Sequence, residues 1–365
     1  MSWIGLRDHA TRRFNQAGLA HGSGARTGTD APHGPADLLS RGALMLETGI
    51  PAHDRPQTLL SYHHLHPWER GLSLQALPDG SVVLVVTQGG TVSHTPLHHG
   101  LTGEGYRLRI TYIWDAPARQ GWLSVRALGA SLYHLQPVAT PVPLSLRDLQ
   151  TLFTQPASEI DAEVAYLALS DTPVPVGPMP SIAPDTPILT AQGYRPISEL
   201  KRGDLIRTPD GDQVPVLANI ACTVPAKGGF RPVRLRAPYF GLQRDITVAP
   251  DQRLCVSGAD VEFLFGAPSA LVPVQHLVNG VSAFYTDETA LVTWHQLLLP
   301  RNQPILAAGA ALHSLYLGRM RRKVDQISVS LLAAYERSRL PEHARPVFPV
   351  LKPFEAATFV QHRAV

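Results

Sequence analysis

The stretch Thr172-Pro-Val-Pro-Val-Gly-Pro-Met-Pro180 most constrains what this chain can fold into. Each proline fixes φ near about −65° and removes a backbone donor, so neither a helix nor a central strand can run through it. The stretch should be extended and stiff. It divides 365 residues into two parts, each long enough to bury a core of its own. Along the whole chain 33 prolines outnumber 29 glycines, which favours short strands and ordered turns over long helices.

The first part shows strand patterning. Leu72-Ser-Leu-Gln-Ala-Leu alternates apolar and polar residues, and Pro78-Asp-Gly-Ser is a turn signal. Ser81-Val-Val-Leu-Val-Val-Thr is strongly β-branched, Tyr106-Arg-Leu-Arg-Ile-Thr-Tyr-Ile-Trp alternates, and Gly121-Trp-Leu-Ser-Val-Arg-Ala-Leu adds another strand. Short strands at this spacing predict an antiparallel β-sandwich over 41–170. Their pattern resembles the sandwiches of the laminin-G and concanavalin type. Residues 1–40, with His21-Gly-Ser-Gly-Ala-Arg-Thr-Gly-Thr-Asp-Ala-Pro, read as a flexible lead. Residues 171–180 are the proline-rich linker.

Composition excludes several classes. A net charge of +3 with dispersed basic residues does not call for a nucleic-acid partner. Two cysteines, Cys222 and Cys255, make neither a disulfide framework nor a cysteine-based zinc site. No apolar run reaches the roughly 18 residues of a membrane span. Met1-Ser-Trp-Ile-Gly-Leu-Arg-Asp-His lacks the order of a secretory signal, which leaves the cytoplasm or a non-classical export route.

The second part opens with Ser181-Ile-Ala-Pro-Asp-Thr-Pro-Ile-Leu-Thr-Ala-Gln-Gly-Tyr-Arg-Pro-Ile-Ser-Glu-Leu-Lys-Arg-Gly-Asp204. A small nucleophilic side chain precedes a Pro-Asp-Thr turn, then a β-type run, a Gly turn and a short amphipathic stretch. Thr208-Pro-Asp-Gly-Asp marks a hairpin. Pro232-Val-Arg-Leu-Arg-Ala and Asp245-Ile-Thr-Val-Ala-Pro-Asp-Gln-Arg-Leu-Cys-Val are strand-like. Leu271-Val-Pro-Val-Gln-His-Leu-Val-Asn-Gly and Val292-Thr-Trp-His-Gln-Leu-Leu-Leu-Pro-Arg-Asn-Gln-Pro-Ile-Leu-Ala-Ala-Gly complete the series. In this order the motifs, over 181–318, resemble the Hint domain of the Hedgehog/intein superfamily, in its bacterial single-domain form.

That resemblance implies a self-cleaving β domain in which the first residue, here Ser181, attacks the peptide bond before it. It also exposes departures. Where the family carries Thr-x-x-His, this chain has Ala249-Pro-Asp-Gln252. Asn302 stands at the family's closing-block histidine, Gln296 at a further histidine, and Pro300 at an acidic position. His295 sits one residue from Gln296 and should face the other side of its strand. Alanine offers no side-chain hydrogen bond, and glutamine exchanges no proton near neutral pH. A serine hydroxyl is also a weaker nucleophile than a thiolate. Asp204, Asp251 and His276 are the candidate substitutes.

Other signals are weaker. His63-His-Leu-His66 with Glu69 has a chelate-like spacing but reads as an exposed lead-in to a strand. His94, His98 and His99 invite the same thought with less support. Arg319-Met-Arg-Arg-Lys323 is a basic run before Val324-Asp-Gln-Ile-Ser-Val-Ser-Leu-Leu-Ala-Ala-Tyr, whose spacing predicts an amphipathic helix. Residues 319–365 are thus expected as a helical tail.

The expected architecture is all-β: a laminin-G-like sandwich, a Hint-type domain and a C-terminal helix. No metal or cofactor is expected. Two functions compete. In one, the Hint fold has lost or weakened its chemistry and is a structural or interaction module beside a sandwich that binds a protein or a carbohydrate. In the other, Ser181 attacks the Pro180 carbonyl in an N–O acyl shift and releases the sandwich. At most this is a single-turnover self-cleaving protein.

Overall fold

The computed structural model describes residues 2–20, 37–49, 55–101, 107–129, 133–155, 159–287 and 289–363. Two compact units divide at Val176 and Gly177, inside the proline run. The run carries no regular element, and Val174, Val176 and Pro180 are buried.

The first unit is an antiparallel sandwich. Its seven-stranded sheet runs, edge to edge, through Tyr133–Pro137, Gln120–Ala127, Arg107–Asp115, Arg41–Gly49, Val164–Ser170, Trp3–Asp8 and Arg12–Phe14. Its five-stranded sheet runs through Glu159–Ile160, Gln57–His64, Arg70–Leu77, Ser81–Gln88 and Thr91–His98. Alternation does what the pattern requires: Leu72, Leu74, Val82, Leu84 and Val86 point into one core with Leu44, Leu46, Ile110, Tyr112 and Trp114. The Asp79-Gly80 turn forms as read, with the Asp79 carboxylate accepting from the Ser81 N–H and Gly80 at φ +77°. A helix, Leu146–Thr154, packs against the core, capped by the Ser145 hydroxyl, which accepts from the Asp148 N–H at 3.3 Å.

The lead expected as flexible is in part structural. Trp3–Asp8 lies between two strands of the larger sheet, with Trp3, Ile4 and Leu6 buried. Trp3-Ile-Gly-Leu is an apolar strand that gains its order by pairing with distant Val164–Ser170, which local composition cannot show. The Gly-Ser-rich segment 21–32 falls outside the described residues.

The second unit is built from short strands. One sheet runs through Gln213–Pro215, Leu205–Arg207, Pro187–Thr190, Pro304–Ala307, Ala310–His313, Arg253–Ser257 and Ser269–Pro273, with Gly193–Pro196 paired to Pro187–Thr190. A long pair, Ala218–Pro225 with Leu291–Leu298, and a three-stranded sheet of Ile246–Val248, Val233–Leu235 and Ala283–Tyr285 complete it. Their apolar faces share one core, including Ile182, Val248, Val272, Leu297, Ile305 and Leu312. The single stretch read at 245–256 is two strands, broken at the Ala249–Gln252 turn.

The tail also differs from expectation. The helix begun at Val324 ends at Ser328. Ser330 turns the chain instead: its hydroxyl donates to the Ile327 carbonyl and accepts from the Leu332 N–H, a local competitor of helix. The longer helix is Pro353–Arg363, whose Ala356 and Phe359 enter the second unit's core with Leu351. Among the described residues no helix is long and apolar enough to cross a membrane.

Candidate functional site

Ser181 enters the second unit as one rung of backbone pairing. Its N–H donates to the His295 carbonyl at 3.2 Å, and its own carbonyl accepts from the Ala249 N–H at 2.7 Å. Ile182 bridges both His295 and Val248, so the segment after the proline run is clamped between two strands. Ser181 is 7% exposed.

The side chain meets two amides. The Ser181 hydroxyl donates to Gln252 Oε1 at 2.5 Å, and Gln296 Nε2 donates back to Ser181 Oγ at 3.2 Å. Gln296 Nε2 also lies 2.9 Å from Gln252 Oε1. Both amide nitrogens converge on one backbone oxygen, that of His313, at 3.1 Å from Gln252 and 3.3 Å from Gln296. Gln252 Nε2 reaches the Arg253 carbonyl as well, and Gln296 Oε1 accepts from the Leu297 N–H. Every polar atom of the three side chains is therefore bonded, as burial demands.

His313 is the residue that sequence reasoning missed. Its ring Nε2 donates to Asn302 Oδ1 at 2.6 Å, which ties Asn302 to the same cluster through one residue. Burial pushes the His313 pKa down to about 3, with the charges of Arg253 and His343 adding to it, so the ring is neutral at physiological pH. The available signal was a lone histidine ending the apolar run Ala310-Ala-Leu-His313. Beyond it, Tyr316 stacks between His313 and His343, with ring centroids 6.2 and 6.3 Å away. His343 accepts from the Leu317 N–H through Nδ1 and donates through Nε2 to the Leu299 carbonyl, both at 3.3 Å. Burial lowers its pKa too.

The other sequence candidates lie elsewhere. Asp204 closes the Lys201–Asp204 turn, accepting from the Lys201 N–H at 2.9 Å and pairing with Arg195 at 3.3 Å. His295 does face away from Gln296's partners: its Nδ1 meets Asn219 Oδ1 at 3.2 Å. His276 stands at the end of a short 3-10 turn, with its pKa lowered by burial against the opposing pull of Asp251. Ala249 supplies only its backbone N–H to Ser181. In the first unit His63 pairs with Glu69 at 3.2 Å, both on the surface. Cys222 is buried, which raises its thiol pKa to about 12.

Comparison with known proteins places this geometry. The Hint domain family matches residues 180–319, from the residue before Ser181 to the end of the strand series. Residues 180–319 are a Hint domain. Its start falls on the proline before the clamped serine, and its span holds Gln252, Gln296, Asn302 and His313 together. Among solved structures, the gp41-1 intein is 12% identical, with 37% of this chain and 98% of that one covered at a TM-score of 0.25. The MchDnaB-1 intein is 17% identical, covering 36% and 98% at 0.24. The toad ovary galectin solved with thio-digalactose is 9% identical, covering 38% and 87% at 0.21. No curated protein matches the chain.

Proposed function

We propose that this Hint domain no longer cleaves the chain, and that its degenerate site is a structural and interaction module. The observation that carries the reading is the destination of the Ser181 proton. An acyl shift needs a base to take that proton, a donor for the departing amide nitrogen, and a carbonyl within reach of the nucleophile. Here the hydroxyl proton lies on an amide oxygen, and the hydroxyl's second partner is an amide nitrogen. An amide does neither job near neutral pH. Loss of acid–base help is typically worth about 10²–10⁴-fold for each such group.

The amide nitrogen of the Pro180–Ser181 bond donates to a backbone carbonyl, an arrangement that keeps the peptide planar and unprotonated. The four candidate site residues Ser181, Gln252, Gln296 and Asn302 then act together as a polar clasp that fixes the segment by which the chain enters the domain. The sandwich unit is the part that carries a ligand, a protein or a carbohydrate. Self-cleavage with Ser181 attacking Pro180 is the competing outcome.

The test is the intact mass of the purified full chain, fresh and after incubation with hydroxylamine, beside a Ser181→Ala control. One species near 39.6 kDa throughout is expected. A fragment ending at Pro180, absent from the control, would overturn the reading.

A further inference from the structure

The chain's net charge is not spread evenly. Residues 319–345 hold seven Arg and Lys against three carboxylates, a surplus of four, while the whole chain carries only +3. Everything outside this segment therefore sums to −1. The segment folds on itself: the His343 N–H donates to the Gly318 carbonyl at 3.0 Å, and Arg321 reaches the Leu340 carbonyl at 3.3 Å. Arg322 pairs with Glu342 at 2.6 Å. Met320, Ile327, Leu332 and Leu340 are buried in a satellite core with Ala218, Ile220 and Leu298. The cations thus stand on a packed platform and not on a free tail.

All seven basic side chains are exposed. Arg322 and Arg339 are neutralised by Glu342 and Glu336. Arg319, Arg321, Lys323, Arg337 and Arg345 have no ion pair among the described residues. Two apolar side chains sit among them: Val324, 57% exposed beside Lys323, and Tyr335, 38% exposed two residues before Arg337.

We propose that the 319–345 lobe docks on an anionic phospholipid bilayer. Cations gain from any dense array of phosphates, but an exposed valine gains only where an apolar layer lies just beneath the charges, as at a membrane interface. A tyrosine with an apolar ring and a polar tip suits the same boundary. This inference is independent of the chemistry at Ser181.

The experiment is co-sedimentation of the full chain with vesicles of pure phosphatidylcholine and vesicles containing phosphatidylserine, at low and high salt. Binding to the anionic vesicles alone, released by salt, is expected. The Arg319→Gln/Lys323→Gln/Arg337→Gln variant touches no ion pair or buried group. At roughly fivefold per cation near a charged surface it should bind on the order of 100-fold more weakly. Its circular dichroism and thermal midpoint should match the parent's. Val324→Thr, which keeps shape and charge but adds a hydroxyl, should weaken vesicle binding while leaving capture by a soluble polyanion, such as poly-aspartate, unchanged. No binding to anionic vesicles at low salt, or undiminished binding by the triple variant, would overturn the proposal. So would vesicle binding indifferent to Val324→Thr, which would make the lobe a site for acidic macromolecules at large.

Discussion

The Arg109–Glu47 cluster of the sandwich and the Ser181 cluster of the Hint domain are both buried, and they are built on opposite principles. In the sandwich, Arg109 and Glu47 stand directly opposite on neighbouring strands, with the guanidinium 2.6 and 2.8 Å from Glu47 Oε1 and the Tyr166 hydroxyl at 3.3 Å. Glu47 is fully buried, and Tyr166's phenol is pushed well above its usual pKa by that burial and by the carboxylate's charge. In the Hint domain the cluster is Ser181, Gln252, Gln296 and the His313 carbonyl, with no ionised partner. A buried ion pair holds its charges only while both partners are present. A buried amide network has no charge to strand and no proton to exchange. The contrast predicts that single substitutions cost the charged cluster more than the neutral one.

The largest expected effect follows from stranding a charge. Glu47→Leu removes the carboxylate that the buried Arg109 guanidinium donates to and should cost about 3–5 kcal/mol, read as lost hydrogen-exchange protection in the sandwich peptides. The Glu47→Leu/Arg109→Met pair should recover most of that loss. If the single and double variants were equally unstable, the charge argument would fail.

Next comes the neutral clasp. Gln252→Leu removes the acceptor of the Ser181 hydroxyl, leaving that buried donor unsatisfied at about 1–3 kcal/mol, and takes one of two donors from the His313 carbonyl. The loss should appear in peptides of residues 181–318 and leave the sandwich unchanged. Ser181→Ala takes one bond from each of two amides that keep bonds to each other and to His313, and should cost nearer 1 kcal/mol.

Acid also separates the units. The Hint-bearing unit holds four histidines with lowered pKa, His276, His295, His313 and His343, and burial is the leading cause in each. In the sandwich, His99 is shifted the same way, to about 4. A depressed histidine contributes stability that is complete above the unfolded value of about 6.5 and is lost as pH falls toward the folded value. For His313 that window runs from about 6.5 down to about 3, at about 1.4 kcal/mol per pH unit. Hydrogen exchange from pH 7 to 4 should therefore loosen the second unit more than the first, and His313→Gln should flatten the difference. Equal acid sensitivity in both units would contradict this.

Much of the sandwich was legible because period-two runs at 72–77, 81–87 and 121–127 need only local alternation. Trp3–Asp8 was not, because its partner lies more than 150 residues away. The Hint domain was legible from motif order, from Ser181 through the Pro304–Ala307 strand. The meeting of Ser181 with Gln252 and Gln296 followed from matched positions. Only the folded chain brings the His313 carbonyl under both amides, since a backbone acceptor leaves no mark in sequence. Asp204 looked available as a titratable residue near the domain's start; its turn had already claimed it.

The most direct test gives the site a better nucleophile. Ser181→Cys in the full chain, incubated with a strong thiol and followed by intact mass, asks whether anything around residue 181 can assist cleavage. The amide clasp offers neither acid nor base, so a single uncleaved species is predicted. A thiol-dependent fragment ending at Pro180 would show that an acid–base group does reach this bond, and would contradict the account.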